Sequence, residues 1–92
     1  MPDKPLVSVL ITAYNREKLI VETLESVLEC TYKNIEIIIV DDGSKDNTLS
    51  VIKEFAEKDS RIRYYQNEKN LGDYPNRNKA ASYARGEYIA YL

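Results

Sequence analysis

Three observations predict an open α/β fold built on a parallel sheet. Two apolar runs, Leu6–Thr12 and Ile35–Val40, are rich in Val and Ile, as is typical of parallel strands buried on both faces. Apolar residues recur at helical spacing between the runs, so that strands and helices alternate as β-α-β-α-β-α-β. The first three strands are followed by polar segments, and the alternation as a whole is typical of an open parallel sheet with right-handed crossovers.

The sequence also places the first two helices and the third strand. Asn15 is the predicted N-cap of the first helix, and a second helix is predicted over Asn47–Lys58. The third strand, Arg61–Gln66, is less apolar than the first two. We therefore expect it to lie nearer an edge of the sheet.

The last two elements are marked by proline and glycine. Pro75 predicts the start of a third helix, and Gly86 directly after Arg85 predicts its end. Residues Glu87–Leu92 then form a fourth strand.

Composition excludes several classes of function. The 92 residues fit a single domain, and a net charge of −2 gives no electrostatic reason to expect nucleic acid as a partner. Cys30 is the only cysteine and histidine is absent, which rules out an intrachain disulfide, a zinc cluster and an imidazole base. No apolar run approaches the roughly 20 residues of a membrane span, so a reducing cytoplasmic setting is expected.

Open α/β sheets bind ligands beyond the carboxyl ends of their strands. Three polar segments fall there: Thr12–Glu17, Asp41–Asp46 and Asn67–Tyr74. We expect them to form one crevice.

Asp41 and Asp42 follow a buried strand directly. A carboxylate in that position would accept a hydrogen bond from uracil N3–H or guanine N1–H, and burial would strengthen the preference. The same residues fit a second interpretation, in which Asp-Asp-Gly-Ser only turns the chain and caps the next helix.

Other side chains in the crevice also have two interpretations. Tyr14 would stack on a base or pack within the protein, and Thr12 would contact the base or simply end its strand. Arg77, beside the amino end of the third helix, fits a diphosphate site or a solvated surface. Asn70 and Gly72 would shape the loop around a ligand or only form the turn.

Taken together, these segments resemble the family 2 glycosyltransferases, which have the GT-A fold. The matching blocks occur in the family's order and are VSVLITAYN (7–15), LESVL (24–28), EIIIVDDGSKDNT (36–48), NLG (70–72), RN (77–78) and ARGEYI (84–89).

The resemblance implies a role for each of these residues in binding a nucleotide diphosphate-sugar. Asp42 would pair with the base, Asp41 would support it, and Arg77 would lie near the base and phosphates. The residues that would lie against the base and ribose are Thr12, Ala13 and Tyr14.

The resemblance also implies an architecture: a Rossmann-like half of a GT-A fold, with sheet order 3-2-1-4 and helices on both faces. The nucleotide would lie over the junction of strands one and four. In the family, strand four leads into an Asp-x-Asp motif that binds Mg²⁺ or Mn²⁺, expected here immediately after Leu92. We therefore expect residues 1–92 to be a single N-terminal nucleotide-binding part, without catalytic residues or metal ligands, and inactive alone.

For the whole protein, the resemblance implies inverting, metal-dependent transfer of a sugar from a UDP-sugar to an acceptor hydroxyl. The acceptor would be a carbohydrate or lipid-linked, and the setting the cytoplasm or the cytoplasmic face of a membrane. The exposed fourth strand is expected to promote self-association. The alternative is a non-catalytic module that binds a nucleotide or a protein partner on the same fold; an Asp-x-Asp after Leu92 would favour the enzyme.

Two other families with α/β folds are rejected. A bacterial receiver domain carries its acidic pair after the first strand and needs a further aspartate at the end of a later one, and this chain has neither arrangement. A dinucleotide-binding dehydrogenase needs a glycine-rich turn after the first strand, where this chain has Thr-Ala-Tyr-Asn.

Overall fold

A computed structural model describes residues 4–92 of the chain, and strands and helices alternate along them as predicted. The elements are β1 (Val7–Ala13), α1 (Glu17–Leu28), β2 (Ile35–Asp41), α2 (Thr48–Lys58), β3 (Ile62–Gln66), α3 (Asp73–Ser82) and β4 (Tyr88–Tyr91).

The four strands form one parallel sheet in the order β3-β2-β1-β4, which confirms the predicted topology. In the register of the sheet, Val7 lies opposite Ile35 on one side and Tyr88 on the other. All seven positions of β2 are buried, whereas all four positions of β4 are exposed. Both β3 and β4 are edge strands, as expected for the third and fourth strands of the sequence.

Helices cover both faces of the sheet, and the alternation of side chains along the strands divides the core in two. Helices α1 and α2 pack on the face that carries Val9, Ile11, Ile37 and Ile39. The other face contributes Leu10, Ile38 and Val40, and these pack against α3 through Ala80 and its small neighbours.

The predicted start of α1 is wrong by one residue. Arg16, not Asn15, occupies the N-cap position, and Asn15 has a φ of +50°. Asparagine tolerates this left-handed conformation. Its backbone N–H donates to Ser44 Oγ at 2.8 Å, and its Oδ1 accepts from the Lys45 N–H at 2.8 Å. Asn15 thus joins the loops after β1 and β2 instead of capping a helix.

Both predicted ends of α3 are also corrected. The helix begins at Asp73 rather than Pro75, after Gly72 with a φ of +92°. Pro75 is therefore its third residue, where a missing N–H costs no intrahelical bond. The helix ends at Ser82, well before Gly86.

Gly86 is required for close packing rather than to end a helix. It is not among the glycines of residues 4–92 that have positive φ. A Cβ at this position would lie 2.6 Å from Ser8 Oγ and 2.7 Å from the Leu6 carbonyl oxygen. The absence of a side chain lets the segment before β4 lie directly against β1.

None of the helices in residues 4–92 combines the length and the hydropathy needed to cross a bilayer.

Candidate functional site

A pocket of about 330 Å³ opens beyond the carboxyl ends of β1 and β2. Six of the eight predicted site residues line it: Thr12, Ala13, Tyr14, Asp42, Asn70 and Gly72. Four further residues complete the wall, namely Arg16, Leu19, Asp73 and Asn76. Asp41 and Arg77 lie outside it.

Asp41 forms the turn after β2. It is fully buried, and one of its carboxylate oxygens accepts from the Ser44 N–H at 2.9 Å and from Gln66 Nε2 at 3.1 Å. The other oxygen accepts from the Ser44 hydroxyl. The turn-forming interpretation therefore describes Asp41. The bond to the first N–H of α2 comes from a different residue, because Asp46 accepts from the Thr48 N–H at 2.9 Å.

Asp42 is buried too, but it forms part of the pocket wall. Its Oδ1 accepts from Asn67 Nδ2 and from the Leu71 N–H, both at 2.8 Å. Its Oδ2 accepts from the Gly72 N–H at 3.0 Å. These bonds wrap the loop between β3 and α3 around the carboxylate, so the position of Asp42 and the shape of the pocket depend on each other.

Two buried asparagines, Asn67 and Asn76, support the position of Asp42 through hydrogen bonds. Asn67 Nδ2, besides its bond to Asp42, donates to Asn76 Oδ1 at 2.8 Å, and Asn76 Nδ2 donates to the Val40 carbonyl oxygen at 3.2 Å. Neither residue was singled out from the sequence. The helical period offered a signal, because Asn76 lies one turn before buried Ala80 and so on the buried side of α3.

Arg16 is a further site residue that the sequence analysis missed. Among residues 4–92 it is the only cationic side chain that lines this pocket. Its Nη1 donates to the carbonyl oxygens of Tyr14 at 3.4 Å and Asn15 at 3.1 Å, and its backbone N–H donates to Thr48 Oγ1 at 2.8 Å. The guanidinium therefore lies beside the backbone of Tyr14, a residue that is 38% exposed.

Arg77 lies in a neighbouring depression of about 260 Å³, lined also by Tyr74, Asn78 and Tyr91. Its guanidinium is 5.2 Å from the centroid of the Tyr91 ring, a cation–π distance. Because α3 starts two residues earlier than predicted, Arg77 is in its second turn rather than its first.

A third buried carboxylate, Glu36, lies near the amino end of β2. Its Oε2 accepts from the Ser8 hydroxyl and from the Arg85 N–H, and its Oε1 forms an ion pair of 2.8 Å with Arg63 Nη2. Burial raises the pKa of this carboxyl, but the hydrogen bonds from Ser8, Arg85 and Arg63 outweigh burial and hold the pKa below its ordinary value.

The described residues do not fit a divalent metal ion. Residues 4–92 bring together no group of three His, Cys, Asp or Glu side chains. Asp42 and Asp73 both line the pocket, but the oxygens of Asp42 are already bonded to N–H donors.

Comparison with known proteins identifies the family of this chain. Residues 8–92 match the family model described as Glycosyl transferase family 2. The chain belongs to glycosyltransferase family 2. Among its relatives is an uncharacterised glycosyltransferase of Methanocaldococcus jannaschii, 47% identical over 98% of this chain and 32% of the relative. Another is an Escherichia coli UDP-Glc:α-D-GlcNAc-diphosphoundecaprenol β-1,3-glucosyltransferase, WfaP, 49% identical over 95% of this chain and 34% of the relative.

Solved structures of glycosyltransferases share the fold. A Pyrobaculum calidifontis mannosyltransferase in complex with GDP-Man and Mn²⁺ superposes with a TM-score of 0.87 and 28% identity, over 95% of this chain and 26% of that one. S. aureus TarS in complex with UDP-GlcNAc superposes with a TM-score of 0.86 and 32% identity, over 94% of this chain and 25% of that one. The GT-A architecture expected from the resemblance is confirmed. The chain spans about a third of the length of the curated relatives named above.

Proposed function

We propose that the pocket holds the nucleotide of a UDP-sugar, and that the whole protein transfers the sugar to an acceptor hydroxyl. The Asp42 carboxylate is the observation that carries this proposal. An ionised carboxylate offers about four acceptor sites, and three of those on Asp42 are filled by N–H groups of the protein. The site that remains belongs to Oδ2, on a residue of the pocket wall.

An acceptor at that point selects among bases. Uracil presents N3–H and guanine N1–H, and either donor would complete the carboxylate. Adenine presents an acceptor on the corresponding edge, so that its binding would leave two buried acceptors facing each other. Uracil is the proposed base because family 2 relatives commonly use UDP-sugars; TarS was solved with UDP-GlcNAc and WfaP is named for UDP-Glc.

The remaining wall suits the rest of a nucleotide. The exposed ring of Tyr14 offers a stacking surface, and Thr12 and Ala13 line the same side of the pocket. Arg16 supplies positive charge within the pocket. We propose that Arg77, from the neighbouring depression, supports the phosphates from the other side.

In the proposed reaction a carboxylate deprotonates the acceptor hydroxyl, which attacks the anomeric carbon as the nucleoside diphosphate departs with inversion. The residues of this chain would bind and orient the departing nucleotide. A divalent ion, as in the mannosyltransferase solved with Mn²⁺, would stabilise the charge on the diphosphate. We propose that its ligands, like the catalytic base, lie outside residues 4–92.

The acceptor is proposed to be a carbohydrate or lipid-linked, with the protein acting at the cytoplasmic face of a membrane. Support comes from WfaP, whose name specifies a diphosphoundecaprenol-linked acceptor.

An amide NMR titration with UDP tests the proposed binding, with GDP and ADP as controls. UDP should shift the amides of Tyr14, Arg16 and Asp42, GDP should shift them less, and ADP should leave them unchanged. Dispersed spectra that ignore all three nucleotides would contradict the proposal. In the whole protein, an Asp-x-Asp motif after Leu92 would favour the enzyme, and its absence would favour the alternative of a non-catalytic binding module.

A pair of tyrosine variants sharpens the same test. Tyr14→Ala should weaken UDP binding about tenfold, because a stacked base contributes roughly 1–3 kcal/mol. Tyr88→Ala is the matched control, since Tyr88 is 61% exposed and lies at the amino end of β4, away from the pocket. Equal losses in the two variants would argue against stacking on Tyr14.

A further inference from the structure

Asn67 and Asn76, the second of which also lines the pocket, form a buried amide pair that connects the Asp42 carboxylate to the sheet and to α3. We propose that Asn67 and Asn76 are positioning residues for nucleotide recognition: they fix the rotation of the Asp42 carboxylate so that Oδ2 alone accepts the N–H of the base. This proposal rests on the proposed function, and it concerns residues that do not themselves need to touch the ligand.

The orientation of the Asn67 amide is determined by its partners. Its Nδ2 donates at 2.8 Å both to Asp42 Oδ1 and to Asn76 Oδ1, and both of these atoms are acceptors. Rotating the amide by half a turn would place its carbonyl oxygen against a carboxylate and another carbonyl. The amide therefore has one workable orientation.

That orientation has a cost. Asn67 is 4% exposed, and its Oδ1 has no hydrogen-bond donor among residues 4–92. A buried acceptor without a partner lowers stability. Both N–H groups of Asn67 are nevertheless directed at Asp42 and Asn76, which favours a role in holding the carboxylate over a role in stability alone.

Asn76 connects this arrangement to the rigid part of the fold. It is 2% exposed within α3, and its Nδ2 donates to the carbonyl oxygen of Val40, two residues before Asp42 in the chain. The helix and the end of β2 therefore determine together where Asn76 Oδ1 lies. That oxygen in turn determines where Asn67 lies.

The consequence for the ligand follows from counting donors. Asp42 Oδ1 receives two, from Asn67 and Leu71, whereas Oδ2 receives only one, from Gly72. If Asn67 is lost, each oxygen has one protein donor, so the two oxygens are no longer distinguished and the carboxylate is held less firmly. The recognition of one specific N–H should then weaken more than nucleotide binding as a whole.

Hydrogen exchange in the ligand-free protein tests the positioning directly. In Asn76→Ala and Asn67→Ser, the Leu71 and Gly72 amides should exchange about three- to tenfold faster than in the parent, since their acceptor is no longer held. Asn34→Ala is the matched control, because Asn34 is an exposed asparagine at the opposite end of the sheet. Unchanged protection at Leu71 and Gly72 in both variants would overturn the proposal.

The ratio of affinities for UDP and N3-methyl-UDP separates positioning from a merely structural role. Methylation removes the donor that Asp42 is proposed to accept, so the parent should prefer UDP. In Asn76→Ala and Asn67→Ser this ratio of affinities should fall about threefold or more, while the affinity for N3-methyl-UDP changes little. An equal loss for both nucleotides would show a structural role only and overturn the proposal.

Failure of the proposed function gives a different result from failure of the positioning role. A parent that binds no nucleotide contradicts the proposed function, while hydrogen exchange still decides whether the pair holds Asp42. A parent that binds both nucleotides equally contradicts N–H recognition, and with it the positioning of Oδ2.

Discussion

Asp42 and Glu36 are two buried carboxylates at opposite ends of β2, and each accepts at least three hydrogen bonds from the protein. They differ in what balances their charge. Glu36 has an ion pair with Arg63, which also donates to the carbonyl oxygen of Tyr83. Asp42 is bonded only to neutral N–H groups of Asn67, Leu71 and Gly72.

The difference separates a structural carboxylate from a binding one. A cation beside Glu36 completes its interactions inside the protein, so that nothing further is needed from a ligand. Asp42 accepts its hydrogen bonds from neutral donors and keeps an acceptor site at the wall of a pocket. Burial and hydrogen-bond number alone do not distinguish the two residues; the partners do.

Gly86→Ala should have the largest effect, at the Glu36 end of the sheet. The new Cβ would overlap Ser8 Oγ, the Leu6 carbonyl oxygen and the Ser8 nitrogen, two of which are backbone atoms that cannot move aside easily. We expect a loss of about 3 kcal/mol in the free energy of unfolding by urea. UDP affinity of the folded protein should not change.

The control for this substitution is Glu87→Ala, at the exposed residue next along the chain. Its free energy of unfolding should match that of the parent. A stable Gly86→Ala variant would show that the segment before β4 does not need to lie so close to β1.

The pH dependence of stability should single out Glu36. Because its folded pKa lies below the ordinary value of 4.5, its contribution is fully present above that value and is lost as pH falls through the folded pKa. Glu36→Gln should cost about 1–2 kcal/mol at pH 7. The difference in free energy of unfolding between parent and variant, measured with urea from pH 7 to pH 3, should become smaller below pH 4.5.

Asp46 and Asp59 also have a lowered pKa, but the parent and the Glu36→Gln variant share both residues. The difference in free energy of unfolding between the two proteins therefore does not contain their contribution. A gap that stays constant to pH 3 would mean that the charge of Glu36 does not stabilise the fold.

The smallest effect is expected at the exposed edge of the sheet. Ile89 in β4 is 47% exposed and lies beside exposed Tyr88 and Tyr91. We predict that the chain self-associates through this edge, and that Ile89→Lys weakens association by about 1 kcal/mol in sedimentation velocity. Ser50→Lys on α2 is the control, and a parent that sediments as a monomer at every concentration would contradict the prediction.

Most of the fold was predictable because strands and helices leave periodic signals. The alternation of buried-strand runs with apolar residues at helical spacing predicted the order of the elements. The apolar run at Ile35–Val40 predicted the buried central strand. The strand order came from the family resemblance. The error at Asn15 arose because its partners, Ser44 and Lys45, are thirty residues away along the chain and no local pattern reveals them.

The site residues at the ends of strands were predictable from the sequence. The residues that only hold other site residues in place were not. Thr12 ends the first predicted strand, and Tyr14 and Asp42 follow buried strands, which placed all three at one edge of the sheet. Asn67 and Asn76 matter through bonds to each other and to Asp42, and these depend on how α3 packs. Gly86 was misread for the same reason, since its close neighbours, Leu6 and Ser8, lie just before the chain's first strand and at its start.

The most direct test of the contrast between the two carboxylates is UDP affinity, measured by calorimetry for the parent, Asp42→Asn and Glu36→Gln. The asparagine amide would present a donor where the base also donates. Asp42→Asn should therefore weaken binding about a hundredfold, while Glu36→Gln, although less stable, should bind within about a factor of two of the parent. Parental affinity in Asp42→Asn, or an equal loss in both variants, would contradict the assignment of Asp42 as the residue that recognises the nucleotide.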